Sequence, residues 1–333
     1  MRVAGVILTL AILWTTAATV QAATFATSSI NSQPLPDGFL PYQQTTPIPL
    51  AGYGLMDIHG VRMVSLYGHL YDHPAAQAQY ALRNLDAYRI THTYRYLARA
   101  RSNASRLITN RVVSAEGAWF FPYRFNFACC QGDTTMPLRA PWYSALAQGQ
   151  ALSAFVRLFQ VTGSPAWLVA ADATFASFLV ATSADQPWVS WVDADGHLWL
   201  EEYPRWPVET SERVLNGQIF AAFGVYDYLQ LLRNPQVRQQ FLTGRPAQVS
   251  RIFDGAVTTA EQTFPRFRQP GAPALYSLEH GISAPSYQSV VIAQYYCLEN
   301  LTARIVDDEI ALTLYSDYPN RSSYTGFSRC PHF

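Results

Sequence analysis

The feature that most constrains the fold is a pair of helical segments that recurs along the chain. Residues 75–90 and 94–108 carry apolar side chains at helical spacing, and residues 142–159 and 167–181 repeat the arrangement about seventy residues later. A Thr-Gly-Ser-Pro break at 162–165 separates the second pair, because glycine ends a helix whereas serine followed by proline begins one. This self-similarity predicts a stack of helical hairpins.

Short extended segments lie between these helices. Residues 189–192 and 197–200 alternate in polarity on either side of Asp193-Ala-Asp-Gly196, which predicts a β-hairpin. The pattern predicts a mainly α protein, an α/α barrel or incomplete toroid of helical hairpins, with short β-hairpins and aromatic loops on one face. The remaining helices are predicted over 214–232, over 235–263 with a kink near 244–246, over 287–304 and over 306–314.

The first residues have the pattern of an export signal. Arg2 precedes an apolar run over 3–14, and small residues stand before Ala23, so residues 1–22 are predicted to be a cleaved signal peptide. A secreted or periplasmic protein follows from this, with an uncleaved membrane anchor as the alternative. No later run is apolar for long enough to span a bilayer.

Two further regions are predicted after the signal peptide. Residues 23–73 have no helical periodicity and are predicted to form an N-terminal arm that ends in a polar loop over 52–73. Residues 74–333 then form the barrel domain. The histidines of the polar loop match no standard metal site, so neither a metal nor another cofactor is expected.

Charge and composition exclude some partners. The 23 basic residues balance 23 acidic ones, so no overall field favours nucleic acid or an anionic membrane. Aromatic residues make up 14% of the chain, and their apolar faces with polar tips suit contact with sugar rings as well as an ordinary core. The sequence leaves the oligomeric state open, with a homodimer among the options.

An exported chain is expected to pair its cysteines. Cys129 and Cys130 are adjacent, whereas Cys297 and Cys330 lie far downstream. Four cysteines allow three pairings. Because a bridge between adjacent cysteines would be strained, we expect disulfides that join the early loop to the C-terminal region.

One loop presents acidic groups on a rigid backbone. Within residues 199–207, Glu201, Glu202 and Tyr203 stand just before prolines, which bias the preceding residues towards extended backbone. An apolar helix follows closely. Many scaffolds present catalytic groups in this way, although a plain polar loop is the alternative.

Several motifs, taken in order, resemble a known family. They are residues 138–153, Glu201-Glu-Tyr-Pro204 and Val214-Leu-Asn-Gly217, with looser matches over 275–280 and 287–294. Together they resemble the C-terminal domain of D-glucuronyl C5-epimerases, which act on heparan sulfate precursors and related uronic-acid polysaccharides. The resemblance covers about residues 75 to 305.

The resemblance implies an α/α-barrel isomerase that removes the C5 proton of a uronic acid and returns a proton to the opposite face. This chemistry needs a base, an acid and a means of stabilising the carbanion. Trp142 and Tyr143 are predicted to bind the substrate by stacking on a sugar ring, and Gln148 by contacting a sugar hydroxyl. Asn216 is a further predicted substrate-binding residue. Arg139, Arg205 and His280 are predicted to lie in the binding site as well, where one of them would be the cation beside a tyrosine base. By motif, the catalytic residues implied are Glu202, Tyr203, Tyr276 and Tyr287.

One position departs from the family pattern. The family has an arginine three residues after the position of Tyr276, suited to holding the substrate carboxylate, whereas this chain has Glu279. A carboxylate there would repel a uronate unless it faces away or stays protonated.

Three other functions use the same residues. A polysaccharide lyase would also begin with abstraction of the C5 proton. A non-catalytic carbohydrate-binding or cell-envelope protein would keep only the binding surface. A glycoside hydrolase would pair two carboxylates from Glu201, Glu202, Asp193 and Asp195.

Overall fold

A computed structural model describes residues 24–51, 54–129, 137–241, 244–319 and 330. The predicted signal peptide, residues 1–22, lies outside these ranges. The unit that repeats along the described chain is a short antiparallel hairpin, then an inner helix, then an outer helix. The helices are α1 (Pro74–Thr91), α2 (Tyr94–Asn110), α3 (Ala145–Thr162), α4 (Pro165–Ala176), α5 (Leu215–Leu232), α6 (Pro235–Arg238), α7 (Arg245–Phe267), α8 (Gln288–Thr302) and α9 (Ile305–Asp317).

Each inner helix is preceded by one two-stranded hairpin. The hairpin therefore occupies the same position in every repeat, before the N-terminus of the inner helix. The strands are β1 (Met63–Leu66), β2 (His69–Asp72), β3 (Val112–Val113), β4 (Trp119–Phe120), β5 (Ser190–Val192), β6 (Leu198–Leu200), β7 (Leu275–Ser277) and β8 (Ile282–Ser283).

The inner helices α1, α3, α5 and α8 pack in a row, and each outer helix packs against its own inner partner or the next outer helix. The apolar core lies between the two layers. In the described residues α8 and α1 share no comparable packing, so the ring stays open. The predicted α/α barrel, an incomplete toroid of helical hairpins, is confirmed.

Helices α3 and α5 touch through their backbones. A Cβ on Gly149 would lie 2.5 Å from the Cα of Ala221, and a Cβ on Gly224 would lie 2.1 Å from the carbonyl oxygen of Gly149. Only glycine fits at such a crossing, because any side chain would overlap main-chain atoms.

The arm is packed rather than loose. Residues 24–51 have no helix or strand, yet Ile30 and Tyr42 are buried in the core. The Gln33 amide donates to the carbonyl of Leu301 in α8 (N···O 2.6 Å). The arm therefore contacts the last repeat of the fold.

Three local predictions differ from the structure. Within the predicted polar loop, β1 and β2 form a hairpin, because Tyr67 and Gly68 both take positive φ as a tight two-residue turn requires. The predicted kink near 244–246 is a full break, since Gly244 caps a new helix. Helix α3 begins at Ala145 rather than 142, because Trp142 pairs with Tyr123 in a β-bridge.

The expected disulfide pairing is wrong. Cys297 in α8 bonds to Cys330, so the C-terminal cysteines join each other and not the early loop. Cys129 is also disulfide-bonded, and its partner lies outside the described residues. Among the described helices, none combines the length and apolar character needed to cross a bilayer.

Candidate active site

The site lies where the four inner helices begin. Their N-cap residues are His73, Ser144, Val214 and Tyr287 for α1, α3, α5 and α8. Two neighbouring cavities are lined by first-turn residues of these helices, one by α1 and α3 and the other by α5 and α8. The N-terminal end of a helix carries positive partial charge, so this face favours an anion.

The four residues implied as catalytic come together here. The hydroxyl oxygens of Tyr203 and Tyr276 lie 3.1 Å apart, and Tyr276 donates to Oε1 of Glu202 over 3.5 Å. The rings of Tyr276 and Tyr287 are in contact, with centroids 4.9 Å apart. Loop 201–213, strand β7 and the start of α8 therefore meet in one cluster.

Glu202 is buried at the wall of a cavity. Its residue is only 8% exposed. Asn216 donates to its Oε2 over 3.5 Å, and a Cβ on Gly217 would lie 2.5 Å from the same oxygen. Gly217 thus makes room for the carboxylate, and Asn216 orients it. This explains why Asn-Gly opens α5.

Burial raises the pKa of Glu202 to about 7, with the hydrogen bond from Tyr203 lowering it and the Glu201 carboxylate raising it. A carboxyl that titrates near neutral pH is suited to general base catalysis. Glu201 has the same raised pKa of about 7 from burial, but its oxygens accept from Trp191 Nε1 and the Arg213 amide and it does not line the cavity.

The tyrosines are held in their neutral form. Burial raises the pKa of Tyr203 and of Tyr276 well above the ordinary value, and the Glu202 carboxylate raises both further. Burial followed by Glu202 also raises the pKa of Tyr287. A neutral phenol donates a proton, so these groups are suited to act as acids rather than bases.

The predicted cationic partners of the tyrosines lie elsewhere. Arg205 forms an ion pair with the buried Glu212 (Nη2···Oε1 2.8 Å), and His280 contacts the other oxygen of Glu212 (Nδ1···Oε2 2.8 Å). Ser277 donates to that same oxygen over 2.6 Å. This buried group joins loop 201–213 to β7, and so it positions Tyr203 and Tyr276 rather than ionising them.

Glu279 is neutralised by a residue the motifs did not single out. The guanidinium of Arg213 forms an ion pair with the Glu279 carboxylate, which is partly exposed. Arg213 stands two residues before Leu215, where α5 begins, and has a positive φ of 52°. The charge that would repel a uronate is therefore compensated. Among the described residues, no ion pair or hydrogen bond joins an arginine to Glu202 or to the three tyrosines.

Two cavities lie at and beside the cluster. A cavity of about 110 Å³ is lined by Glu202, Tyr203 and Trp142, and Trp142 also lines an adjoining groove of about 580 Å³. Tyr143, Arg139 and Arg205 line that groove, together with Trp188 and the exposed Trp206. The predicted stacking residues thus lie beside the catalytic cluster.

Gln148 is not at the site. Its amide accepts from the Phe121 backbone (3.0 Å) and donates to the carbonyl of Trp119 (2.7 Å) and to Ser177 (2.8 Å). It is fully buried, so its polar atoms connect α3 to β4 instead of reaching a sugar.

Sequence reasoning missed several groups at the site. His73, Ser144 and Tyr123 line the cavity with Glu202. Glu212 and Arg213 do not line it but form the ion pairs with Arg205 and Glu279 described above. A signal for His73 was present, since it directly precedes Pro74 at the start of a helical pattern, which is an N-cap position.

One group of metal-type side chains occurs in the described chain. Ligand atoms of Asp193, Asp195 and His197 lie within 4.8 Å of one another. The Asp193 carboxylate accepts from Trp199 Nε1 (2.8 Å) and from the His197 amide (2.9 Å). These bonds close the turn of the β5–β6 hairpin, which accounts for the grouping.

The model of one protein family matches residues 114–320, more than half of the chain, and it describes the D-glucuronyl C5-epimerase C-terminus. The chain belongs to this family. The match includes the loop with Glu202 and Tyr203, strand β7 with Tyr276 and the start of α8 with Tyr287, so the whole cluster falls within the C5-epimerase C-terminal region.

This member of the C5-epimerase family is also similar to individual known proteins. A D-glucuronyl C5-epimerase of Caenorhabditis elegans is 25% identical over 164 residues, which are 49% of this chain and 25% of that protein. The chain thus spans about a quarter of that relative's length. Cellobiose 2-epimerase from Bacillus thermoamylovorans matches 74% of this chain and 59% of its own at 13% identity and TM-score 0.49. A D-mannose isomerase matches 82% of this chain and 65% of its own chain, at 12% identity and TM-score 0.47.

Proposed function

We propose that the protein is a secreted epimerase that inverts C5 of uronic-acid residues, of the D-glucuronyl to L-iduronyl type, within a polysaccharide. The observation that supports this most is that one cavity is lined by both a carboxyl suited to act as a base, Glu202, and a neutral phenol suited to act as an acid, Tyr203. Glu202 titrates near neutral pH and accepts a proton, whereas Tyr203 stays protonated and donates one.

The proposed reaction balances within this cluster. The Glu202 carboxylate removes the C5 proton, and the electron pair of the broken C–H bond moves into the uronate carboxyl group to give an enediolate. One of the neutral phenols of the cluster then gives its proton to the face of C5 opposite to Glu202. Tyr276 is hydrogen-bonded to both Tyr203 and Glu202, so the proton returns from Glu202 to the phenols through Tyr276.

Deuterium incorporation tests the proposal. The full chain is incubated in D₂O with a panel of uronic-acid polysaccharides that includes the heparan sulfate precursor, and deuterium at C5 is followed by NMR. We expect exchange at C5 with formation of the inverted sugar. Absence of exchange on every uronan would contradict the proposal. An unsaturated product with new ultraviolet absorbance would instead identify a lyase. Binding that survives Glu202→Gln and Tyr203→Phe, without exchange, would identify a non-catalytic carbohydrate-binding protein.

The rate should depend on pH through Glu202. Because the base must be deprotonated and burial raises the pKa of Glu202 to about 7, kcat/KM is expected to rise with pH and to be half-maximal near that value. The phenols have raised pKa values, so no falling limb is expected below about pH 10. Initial rates across this range check it, and a rate already constant from about pH 5 would contradict Glu202 as base.

The groove is proposed to hold sugars next to the reacting uronate. Trp206 is 56% exposed on its rim, and an aromatic face contributes about 1 kcal/mol of stacking. Trp206→Ala is expected to raise KM for the polymer by about fivefold to tenfold with kcat nearly unchanged. Tyr94→Ala is the control, since Tyr94 is 63% exposed on α2 and lines none of the site cavities. Equal effects of the two variants would remove Trp206 from the binding surface.

A further inference from the structure

The proposed function requires a group that binds the substrate carboxylate, and none of the residues described so far provides it. A uronate brings a carboxylate into the site, and removal of the C5 proton places a second negative charge on that carboxyl group. The usual partner would be an arginine. Of the arginines near the cluster, Arg213 pairs with Glu279 and Arg205 with Glu212, whereas Arg139 lines the adjoining groove and not the cavity that contains Glu202. The partner of the carboxylate must then be sought among uncharged donors.

His73 lines the cavity beside Glu202 and Tyr203. It is the N-cap residue of α1, and its Nδ1 accepts the backbone N–H of Ala76 over 3.1 Å. An imidazole nitrogen that accepts carries no proton, so the proton of the neutral ring is on Nε2. Among the described residues, no other residue forms a hydrogen bond with this Nε2.

Packing fixes the ring in place. Tyr123 contacts it edge-on with centroids 4.9 Å apart, and Phe125 stacks on it at 6.1 Å. Burial, and then the Glu202 carboxylate, raise the pKa of Tyr123, so the ring that contacts His73 also lies within electrostatic range of Glu202. His73 therefore cannot rotate freely, and its tautomer is set by the helix it caps.

The electrostatics suit a neutral donor. Burial lowers the pKa of His73 to about 4, so the ring is uncharged throughout the range in which Glu202 titrates. A cationic ring beside Glu202 would stabilise its carboxylate and weaken it as a base. A neutral N–H avoids this, and the N-terminal end of α1, which His73 caps, adds positive potential at this end of the cavity.

We propose that His73 donates its Nε2–H to the carboxyl group of the bound uronate and stabilises the enediolate that forms when Glu202 removes the C5 proton. This assignment rests on the proposed function and extends it to substrate selection. The cavity selects a sugar with a carboxylate at C6, through a fixed neutral donor that takes the place of the arginine replaced by Glu279. The proton on Nε2 stays on nitrogen throughout, so the step adds no proton transfer.

His73→Asn separates this role from helix capping. Asparagine is a good N-cap residue whose side-chain oxygen accepts the same backbone N–H, but it has no donor at the position of Nε2. We expect the melting temperature to stay within a few degrees of wild type while kcat falls by about 10²-fold, the usual loss for one donor to an oxyanion. His73→Gln returns an N–H near the position of Nε2 and is expected to recover part of the rate.

His92→Asn is the matched control. His92 ends the same helix, is exposed and has a φ of 53°, a conformation that asparagine adopts readily. Its rate should equal wild type. If His73→Asn keeps both its stability and its full rate, His73 is only a helix cap and the assignment fails.

Binding provides a readout that does not need turnover. With ¹⁵N-labelled histidine, the Nε2 resonance that disappears in His73→Asn is expected to shift when a glucuronate-containing oligosaccharide is added to the full chain. The same oligosaccharide with its carboxyl groups reduced to alcohols should leave it unchanged. If no polymer exchanges at C5 but this shift occurs, the proposed reaction fails while the carboxylate site stands. If exchange occurs and neither ligand shifts the resonance, the assignment to His73 fails while the reaction stands.

Discussion

Glu202→Gln should abolish C5 exchange and at the same time make the protein more stable above neutral pH. The variant keeps the shape of the side chain and its contact with Asn216, but it has no basic oxygen, so the exchange rate should fall by at least about 10³-fold. The stability effect follows from the pKa. Burial raises the pKa of Glu202 from 4.5 to about 7, so the folded state binds the proton more tightly than the unfolded state.

The sign of the stability effect follows directly. Between these two pKa values the folded protein holds more protons, and the free energy of unfolding therefore decreases as the pH rises. Above about pH 7 wild type carries a destabilisation of up to about 3 kcal/mol that glutamine removes. Urea unfolding of both proteins at about pH 5 and pH 8 measures the difference.

Glu209→Gln is the control for Glu202→Gln. Glu209 lies in the same loop but is exposed, and so its replacement should alter neither the exchange rate nor the free energy of unfolding. An active Glu202→Gln would exclude Glu202 as the base. An inactive variant with no gain in stability at high pH would show that the carboxylate is not desolvated as described.

Gly224→Ala is expected to destabilise the fold by about 3 kcal/mol. In an ordinary helix this substitution would stabilise by nearly 1 kcal/mol, because alanine is the better helix former. Here the new Cβ would lie 2.1 Å from the carbonyl oxygen of Gly149, so α5 must move away from α3. That movement also displaces Asn216 and Gly217 at the start of α5, and C5 exchange should fall together with stability.

Chemical denaturation checks this prediction, with Gly244→Ala as the control. A Cβ on Gly244 would meet no atom within 4 Å, and so this variant should stay within about 1 kcal/mol of wild type. A Gly224→Ala protein as stable as wild type would mean that the backbones of α3 and α5 do not touch.

The helical framework could be predicted because it follows from local signals. Apolar spacing and the break at 162–165 place α3 and α4, and the Asp-Ala-Asp-Gly turn places the β5–β6 hairpin. The break between α6 and α7 was harder to predict, because Pro246 and Gly244 are compatible with either a kinked helix or a new one. The disulfide was missed because its geometry depends on where α8 meets residue 330, which no local pattern encodes.

The candidate site was predictable in its chemistry but not in its charge balance. The motifs identified Glu202, Tyr203, Tyr276 and Tyr287, and the structure brings them together. They also suggested that Arg205 and His280 would serve the tyrosines. Both instead contact Glu212, an acid on which the sequence places no emphasis. Ion pairing depends on the three-dimensional neighbours of each charge, and a motif in one sequence does not contain them.

The packed arm has a consequence for how the chain acquires its final form. Ser28 donates to Thr258 of α7, 230 residues further along, and Gln33 is bonded to Leu301. Neither partner exists until most of the polypeptide has been synthesised. The arm therefore cannot reach its final position until residues 258 and 301 have been synthesised. Because the Gln44 amide also donates to Asp86 of α1, the arm links the first and last inner helices of the open ring.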